Sequence, residues 1–487
     1  MKNARFVVSA ASLFIASGHV LANPATIVLA NNAHAGTSGR DAVPGMTGFQ
    51  FTNFGKVYGS SGTRWVTAAN ITGAGTTTAT DQVVLVGNGT SISVAAREGI
   101  TAVGASGQLL NLSGLATPRI NASGQWAIAF TPAAGNPGLV VRSRAGGYDT
   151  LAVGSAASQF PGYNYGPGFA SAAISDAGGV WFQTDTTSGL PRAAFGENGQ
   201  TRVDLEASTD LGAAYPDVIA APLRTMQYSV AATNFHVSAD GQTTMLLGDA
   251  DINFGVRSAI VNNQIVLQVG QAAPGTTGLN ISTITETWLE SDGTWFARVT
   301  LSDSSAAIYR NRVLIARVGA PVSPGAGENW TVITDYKGDP SGNFVVIGTT
   351  NGPSASNQIA LLNGTDVISR SGDPVDLNGD GQMNDNLFIH SFRDRCFMGS
   401  DSAFYVGARM KSTAAGTSSL GANVSMIRVP FIVCIGDFNH DGGVDGSDIE
   451  AFFRDWEAGL STADVNRDGG VDGADVESFF GRWESGC

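Results

Sequence analysis

The chain has 487 residues, a formal net charge of −14, and 14% charged against 43% hydrophobic residues. That is apolar material for more than one domain, and so few cations argue against nucleic acid and anionic membranes as partners. Its 63 glycines, with abundant Thr, Ser, Ala and Val, read as many short strands joined by tight turns.

Met1 to Ala22 reads as a secretory signal. Lys2 and Arg5 charge its start, FVVSAASLFIAS is an apolar stretch too short to span a membrane, and Val20-Leu21-Ala22 offers tolerated residues for cleavage after Ala22. No later stretch is long and apolar enough for a transmembrane helix. The mature chain is expected outside the cell, secreted or held at the cell surface.

From about Phe49 to Phe431 two phrases recur. One is a Gly turn running into an apolar strand: NASGQWAIAF, SDAGGVWFQ, SADGQTTMLL, SDGTWFARVTL and PSGNFVVIGT. The other is a hairpin ending in a Gly turn: DQVVLVGNGTSISVAAREG, RSAIVNNQIVLQVGQAAPG, AAIYRNRVLIARVGAPVSPG and NQIALLNGTDVISRSGDP. Asn-Gly and Asn-Asn suit two-residue hairpin tips. The turn glycines are Gly99, Gly270, Gly319 and Gly372. Repeats of about 50 residues with three or four strands each suit a β-propeller. The expectation is a mainly β chain, with a propeller-like body over 23–431 of about seven blades, near 49–100, 110–148, 165–210, 228–272, 280–322, 330–375 and 386–431. A pair of β-sandwiches or a β-solenoid are the alternatives. These phrases resemble the repeats of bacterial secreted choice-of-anchor proteins, whose bodies end in different attachment modules.

Within the body, DLNGDGQMNDN places Asp376, Asn378, Asp380, the Gln382 carbonyl and Asn384 at alternating positions. This spacing is similar to the calcium loops between propeller strands of the integrin type, with Asp385 able to replace or assist Asn384. A third Ca2+ at 376–385 would stiffen the loop.

The C-terminal segment, 434–487, carries the most specific signal. DFNHDGGVDGSDIEAFFRDWE recurs 27 residues later as DVNRDGGVDGADVESFFGRWE. Asp437, Asn439, Asp441, the carbonyl of Gly443, Asp445 and Asp448 in the first copy, and Asp464, Asn466, Asp468, the carbonyl of Gly470, Asp472 and Asp475 in the second, are the oxygen donors of a twelve-residue calcium loop. Asp stands where the bidentate Glu is usual. Each loop is followed by one amphipathic helix, with Ile449, Phe452, Phe453 and Trp456 on one face and Val476, Phe479, Phe480 and Trp483 copying it. A loop with an exiting helix, duplicated, resembles a type I dockerin, an all-α module that binds two Ca2+ and plugs into a cohesin domain on another protein. The resemblance implies a cohesin-like partner. Positions 10 and 11, where such a partner is read, are here Gly446-Ser447 and Gly473-Ala474. Two outward faces that are near copies would let a partner dock in either of two orientations.

Cys434 and Cys487 bracket the module, and a disulfide between them would add about 4 kcal/mol in the chain-entropy model. A Cys396–Cys434 pair, or no pair, is the alternative; Cys396 reads as a buried thiol. No nucleophile elbow, zinc helix, P-loop or CxxC is present. Asp204, Glu206, Glu286 and Glu290 read as solvated loop acids. Trp65, Trp126, Trp181, Trp288, Trp295 and Trp330 read as blade core. The reading is a noncatalytic body attached through its calcium module, with a polysaccharide-binding or glycoside-hydrolase body as the main rival and a purely structural surface protein as the third possibility.

Overall fold

The computed structural model describes residues 25–30, 40–103, 107–112, 117–132, 137–156, 164–186, 192–196, 201–205, 226–228, 235–250, 257–262, 264–323, 327–380, 384–421, 424–431, 436, 438–439, 444–459, 463, 465 and 471–485. Two compact units separate, one spanning Asn23–Val433 and the other containing Cys434–Cys487. The expected signal, Met1 to Ala22, lies outside the described residues.

The larger unit is mainly β, and its hairpins form where the sequence places their tips. Asn311 and Arg312 hold φ of 45° and 69°, and Asn363 and Gly364 hold 51° and 80°. Two successive positive φ values give the turn whose twist matches that of the strands it joins. Each tip asparagine is also tied back to a neighbouring strand. Asn262, Asn311 and Asn363 Oδ1 accept the N–H of Thr244, Trp295 and Phe344 at 2.9, 3.0 and 2.9 Å. Asparagine supplies both the left-handed backbone and the acceptor, so the same residue recurs.

Among the described residues the strands form seven sheets of four or five strands. The first holds Gln50–Phe54, Tyr58–Gly59, Arg64–Thr72, Gln82–Asn88 and Ser91–Arg97. The second holds Arg119–Ile120, Trp126–Phe130, Leu139–Arg144 and Gly147–Val153. Tyr165–Ile174, Val180–Thr186, Arg192–Gly196 and Thr201–Leu205 make the third. Met226–Tyr228, Phe235–Val237, Thr244–Ala250, Arg257–Val261 and Gln264–Gln268 make the fourth. The fifth is Ile281–Leu289, Trp295–Leu301, Ala306–Arg310 and Val313–Arg317, and the sixth is Trp330–Gly338, Phe344–Thr350, Gln358–Leu362 and Asp366–Arg370. The seventh combines Phe388–Gly399, Ala403–Lys411 and Ser425–Pro430 with Ala25–Leu29 from the far end of the chain and with Val375–Asp376.

A repeated joint carries the chain from one sheet to the next. Gly99, Gly270, Gly319 and Gly372 hold φ of 64°, 87°, 88° and 98°, a conformation that a side chain would strain. Their N–H groups donate to the carbonyls of Leu110, Ile281, Trp330 and Ile389 at 2.8 to 2.9 Å. Each acceptor lies in or leads to the first strand of the following sheet.

Apolar cores fill the spaces between successive sheets. Tyr58 and Val84 of the first meet Ile120, Trp126 and Val141 of the second. Ala127 and Val140 meet Ala172 and Phe182 of the third. Met245 and Leu267 of the fourth meet Ile284 and Val299 of the fifth. Phe296 and Ile308 meet Trp330 and Leu361 of the sixth, and Val345 and Ile347 meet Phe392 and Phe404 of the seventh. The seventh returns to the first, where Phe397, Tyr405 and Met426 pack with Phe51, Trp65 and Leu85. The third and fourth sheets touch through Tyr165–Ile174 and Phe235–Val237. A ring of face-packed antiparallel sheets that closes on itself is a β-propeller arrangement.

The closing sheet joins both ends of this unit. Ala25–Leu29 runs antiparallel to Ser425–Pro430, with Ile27 opposite Ile427, and parallel to Val375–Asp376. Ile27, Val28 and Leu29 are fully buried. The repeat pattern, which begins near Phe49, gives no sign of this strand.

The C-terminal unit contains two helices, α1 (Gly446–Glu457) and α2 (Gly473–Ser485). Asp445 caps α1, and Asp448 returns a bond to the Asp445 N–H, forming a capping box. Phe452 and Phe479 stack at 4.3 Å between centroids, and Phe438 meets both edge-on.

Candidate functional site

The duplicated loops give matching local geometry wherever both are described. Asp448 and Asp475 are fully buried. Asp448 accepts the N–H of Asn439 at 3.0 Å through one oxygen and that of Asp445 at 2.9 Å through the other. Asp475 accepts the Asp472 N–H at 2.9 Å. Asp445 and Asp472 accept at 2.8 Å from the amides of Ser447 and Ala474. The Ser447 amide and hydroxyl hold the Asp445 carboxyl below its ordinary value.

The two halves are cross-tied. Trp456 Nε1 on α1 donates to the Asp472 carbonyl at 2.9 Å, and Trp483 Nε1 on α2 donates to the Asp445 carbonyl at 2.9 Å. Each helix end thus holds the other half's loop, a reciprocal pairing expected of a pseudo-twofold unit. Asp437, Asp441, Gly443, Asp464, Asn466, Asp468 and Gly470 lie outside the described residues, as do Cys434 and Cys487. Among the described residues no group of three or more His, Cys, Asp or Glu converges as a metal cage.

The body loop is held by hydrogen bonds among residues that its spacing picks out. Asp376, 2% exposed, accepts the Gly379 N–H at 2.6 Å. Asn378 donates to Asp380 at 3.1 Å and lies 3.5 Å from Asp385, which also accepts the Leu377 N–H at 2.8 Å. Asp385, rather than Asn384, reaches back across the loop. Gln382 lies outside the described residues.

A third place was not marked by any motif. All seven sheets contribute to one cavity of about 80 Å³ on the ring axis, through residues such as Tyr58, Arg119, Ile174, His236, Trp288, Lys337 and Phe397. A smaller one of about 10 Å³ continues it and shares Tyr58, Arg119, Trp288 and Lys337. The turns after the innermost strands interlock at its mouth: the Asp176 N–H donates to Ala239, and the Ala239 N–H to Ser291, at 2.6 and 2.9 Å.

The polar groups of this channel come from different sheets. Lys337 Nζ bonds Asp335 at 3.0 Å and lies 4.3 Å from the Trp288 ring centroid. Burial alone would raise the Asp335 carboxyl, but Lys337 and the Tyr336 amide hold it below its ordinary value. Burial works against the charge of Lys337, yet Asp335 keeps it firmly protonated. Cys396 is free and 2% exposed, and its thiol donates to Asp335 at 3.2 Å; burial first, then Asp335, pushes it well up. A thiol so placed is inert rather than nucleophilic.

Glu290 is not the solvated acid that its sequence context suggests. It lines the cavity and accepts the Gly338 N–H at 2.7 Å. Burial pushes its carboxyl up to about 8, against the pull of that N–H and Lys337. Trp288 likewise differs from Trp65, Trp126, Trp295 and Trp330, which are core residues, because it faces this channel. Neither could be found by spacing, since seven separate sheets supply the lining.

No protein-family model matches the chain, and no curated protein matches it. Among solved structures it is similar to the Dos1 propeller, at 10% identity over 78% of each chain and a TM-score of 0.33. It is similar to a puromycin-hydrolyzing peptidase of Mycobacterium tuberculosis at 10% identity, over 83% of this chain and 56% of that one, with a TM-score of 0.36. The β-propeller domain of the Trilobed protease from Pyrococcus furiosus matches at 6% identity, over 76% of this chain and 98% of that one, with a TM-score of 0.34. Among the described residues no helix is long and apolar enough to cross a membrane.

Proposed function

We propose that this is a secreted calcium-binding protein in which a dockerin-like module attaches a noncatalytic propeller body, each sheet one of seven blades, to a cohesin-like partner or to the cell surface. The observation that carries the reading is the reciprocal pair of tryptophan bonds, Trp456 to the Asp472 carbonyl and Trp483 to the Asp445 carbonyl. They join two copies of a loop whose full sequence offers six oxygen positions each. Asp448 and Asp475 would hold Ca2+ at the last loop position, beside Asn439, Asp445 and Asp472. Their burial and their bonds to loop amides fix the carboxylates in place, while a carboxylate keeps spare lone pairs for a cation. Bound calcium would neutralise the clustered acids and lock both loops. The loop from Asp376 to Asp385 would take a third ion.

Calorimetric titration of the full chain with Ca2+ tests this. Two sites of micromolar affinity or better are expected from the module. Asp448→Ala and Asp475→Ala should each remove one, and the double variant both. Capture of a cohesin-like domain should require calcium and fail in the double variant. A chain that takes up no calcium overturns the reading.

A further inference from the structure

Arg119 stands in the central cavity without a carboxylate. No ion pair reaches it among the described residues, and its buried Nη1 makes no hydrogen bond. Its guanidinium lies 3.5 Å from the Tyr58 ring centroid and 6.0 Å from that of Trp288, and these two rings stack at 5.8 Å. Tyr58 is 3% exposed, yet its hydroxyl is also unpartnered, whereas Trp288 Nε1 leans on the Glu290 carboxyl. Buried donors are normally satisfied, and leaving them unpaired costs more than the bond itself contributes. Here the Arg119 and Tyr58 donors share one cavity wall, and one of them carries a full positive charge.

The other charges around the cavity are accounted for. Lys337 is paired with Asp335. Asp176, exposed at the rim, accepts Ser61 Oγ at 2.6 Å and the Ala122 N–H at 2.7 Å. Glu290 is protonated at neutral pH, because burial holds its carboxyl up to about 8. His236 sits edge-on to Trp288 at 4.9 Å. In the smaller cavity that continues the central one, Glu286 lies 3.8 Å from both Lys56 and Arg298, and Asp394 lines the wall without reaching Arg119 in an ion pair. Among the described residues Arg119 is the cation of this wall that no carboxylate meets.

We propose that this cavity binds a small, singly charged carboxylate, seated on Arg119 with the Tyr58 hydroxyl as a further donor. A planar carboxylate matches a guanidinium edge, and one negative charge balances one positive charge. A full dianion such as sulfate would leave a buried surplus. The cavity of about 80 Å³ is roomier than one water requires. Affinity should fall as pH rises through about 8, when Glu290 ionises and repels the ligand. Lys337 from the sixth sheet, Asp292 in its own turn and Trp288 Nε1 act on Glu290 directly; Arg119, His236 and Asp176 line the same cavity, and Asp335, Cys396 and Glu286 act on Lys337.

Titration of the calcium-loaded full chain with acetate and glucuronate decides it, with acetamide and glucose as uncharged counterparts and sulfate as the dianion. At least one carboxylate should bind in the millimolar range, with its uncharged counterpart at least about tenfold weaker. Arg119→Gln should weaken binding by at least about tenfold. Tyr58→Phe removes only a hydroxyl and should weaken binding by a smaller factor, with an unchanged melting curve, so the test survives if Arg119→Gln misfolds. Glu290→Gln should flatten the pH response. No millimolar binding of either carboxylate, equal binding of a counterpart or of sulfate, full affinity in Arg119→Gln, or full affinity in Tyr58→Phe where Arg119→Gln does not fold overturns the proposal.

Discussion

Glu290 shows how far one residue can depart from its sequence context. The stretch Glu290-Ser291-Asp292-Gly293 is a polar turn, and only the fold brings the Gly338 N–H and the channel wall against the carboxyl. Its folded value is raised from 4.5 to about 8. Between those values the folded state keeps a proton that the unfolded chain has released, so this group favours the fold at low pH and loses that preference as pH rises. The slope is at most about 1.4 kcal/mol per pH unit. Asp335 has the opposite sign, since its carboxyl is depressed; its contribution is present above its unfolded value and is lost as pH falls through the lower folded one. The two windows therefore separate. Thermal melts should show stability falling from about pH 5 to about pH 8, with the fall reduced in Glu290→Gln and the acid limb unchanged. An identical slope in both chains would mean that Glu290 ionises freely.

At the scale of elements the sequence was readable wherever a local rule sets the structure. Hairpin tips at Asn262, Asn311 and Asn363 follow from backbone preference. The joints at Gly99, Gly270, Gly319 and Gly372 follow for the same reason. The helical faces of α1 and α2 follow from apolar spacing, and Phe452 and Phe479 form their contact. What spacing could not give was the tryptophan cross-tie, in which two residues placed alike on their helices each serve the opposite loop. Trp456→Phe keeps the ring and removes the N–H, leaving the Asp472 carbonyl without this donor, and Trp483→Phe does the same to the Asp445 carbonyl. Each should cost about 1 kcal/mol, read as a lower melting point of the calcium-loaded module. If the halves act as one cooperative unit, each substitution should weaken calcium binding at both loops. Weakening confined to one loop would mean that the halves fold independently.

For the whole molecule, the repeat phrases announced a ring of sheets, but not how the ring closes. Closure depends on Ala25–Leu29, five residues between the expected signal and a segment outside the described set, with no copy elsewhere in the chain. Its partner strand Ser425–Pro430 is about 400 residues away, a distance that no local pattern encodes. The axis cavity was hidden for the same reason, since its wall exists only once the ring is complete. Ile27 tests this closure. It is fully buried, lies opposite Ile427, and shares a core with Val375, Phe392 and Phe404. Ile27→Asp would place a carboxylate there with no cation provided, and burying an unpaired charge costs several kcal/mol. That is a large share of the stability of an ordinary domain. Calorimetry of the full chain should then show the main transition of the Asn23–Val433 unit strongly lowered or lost. The Cys434–Cys487 segment belongs to a separate compact unit, so the module's two calcium sites should titrate as before in the same sample. Retention of the main transition would mean that the ring holds without its N-terminal strand, and loss of the module's calcium binding would mean that the two units do not fold separately.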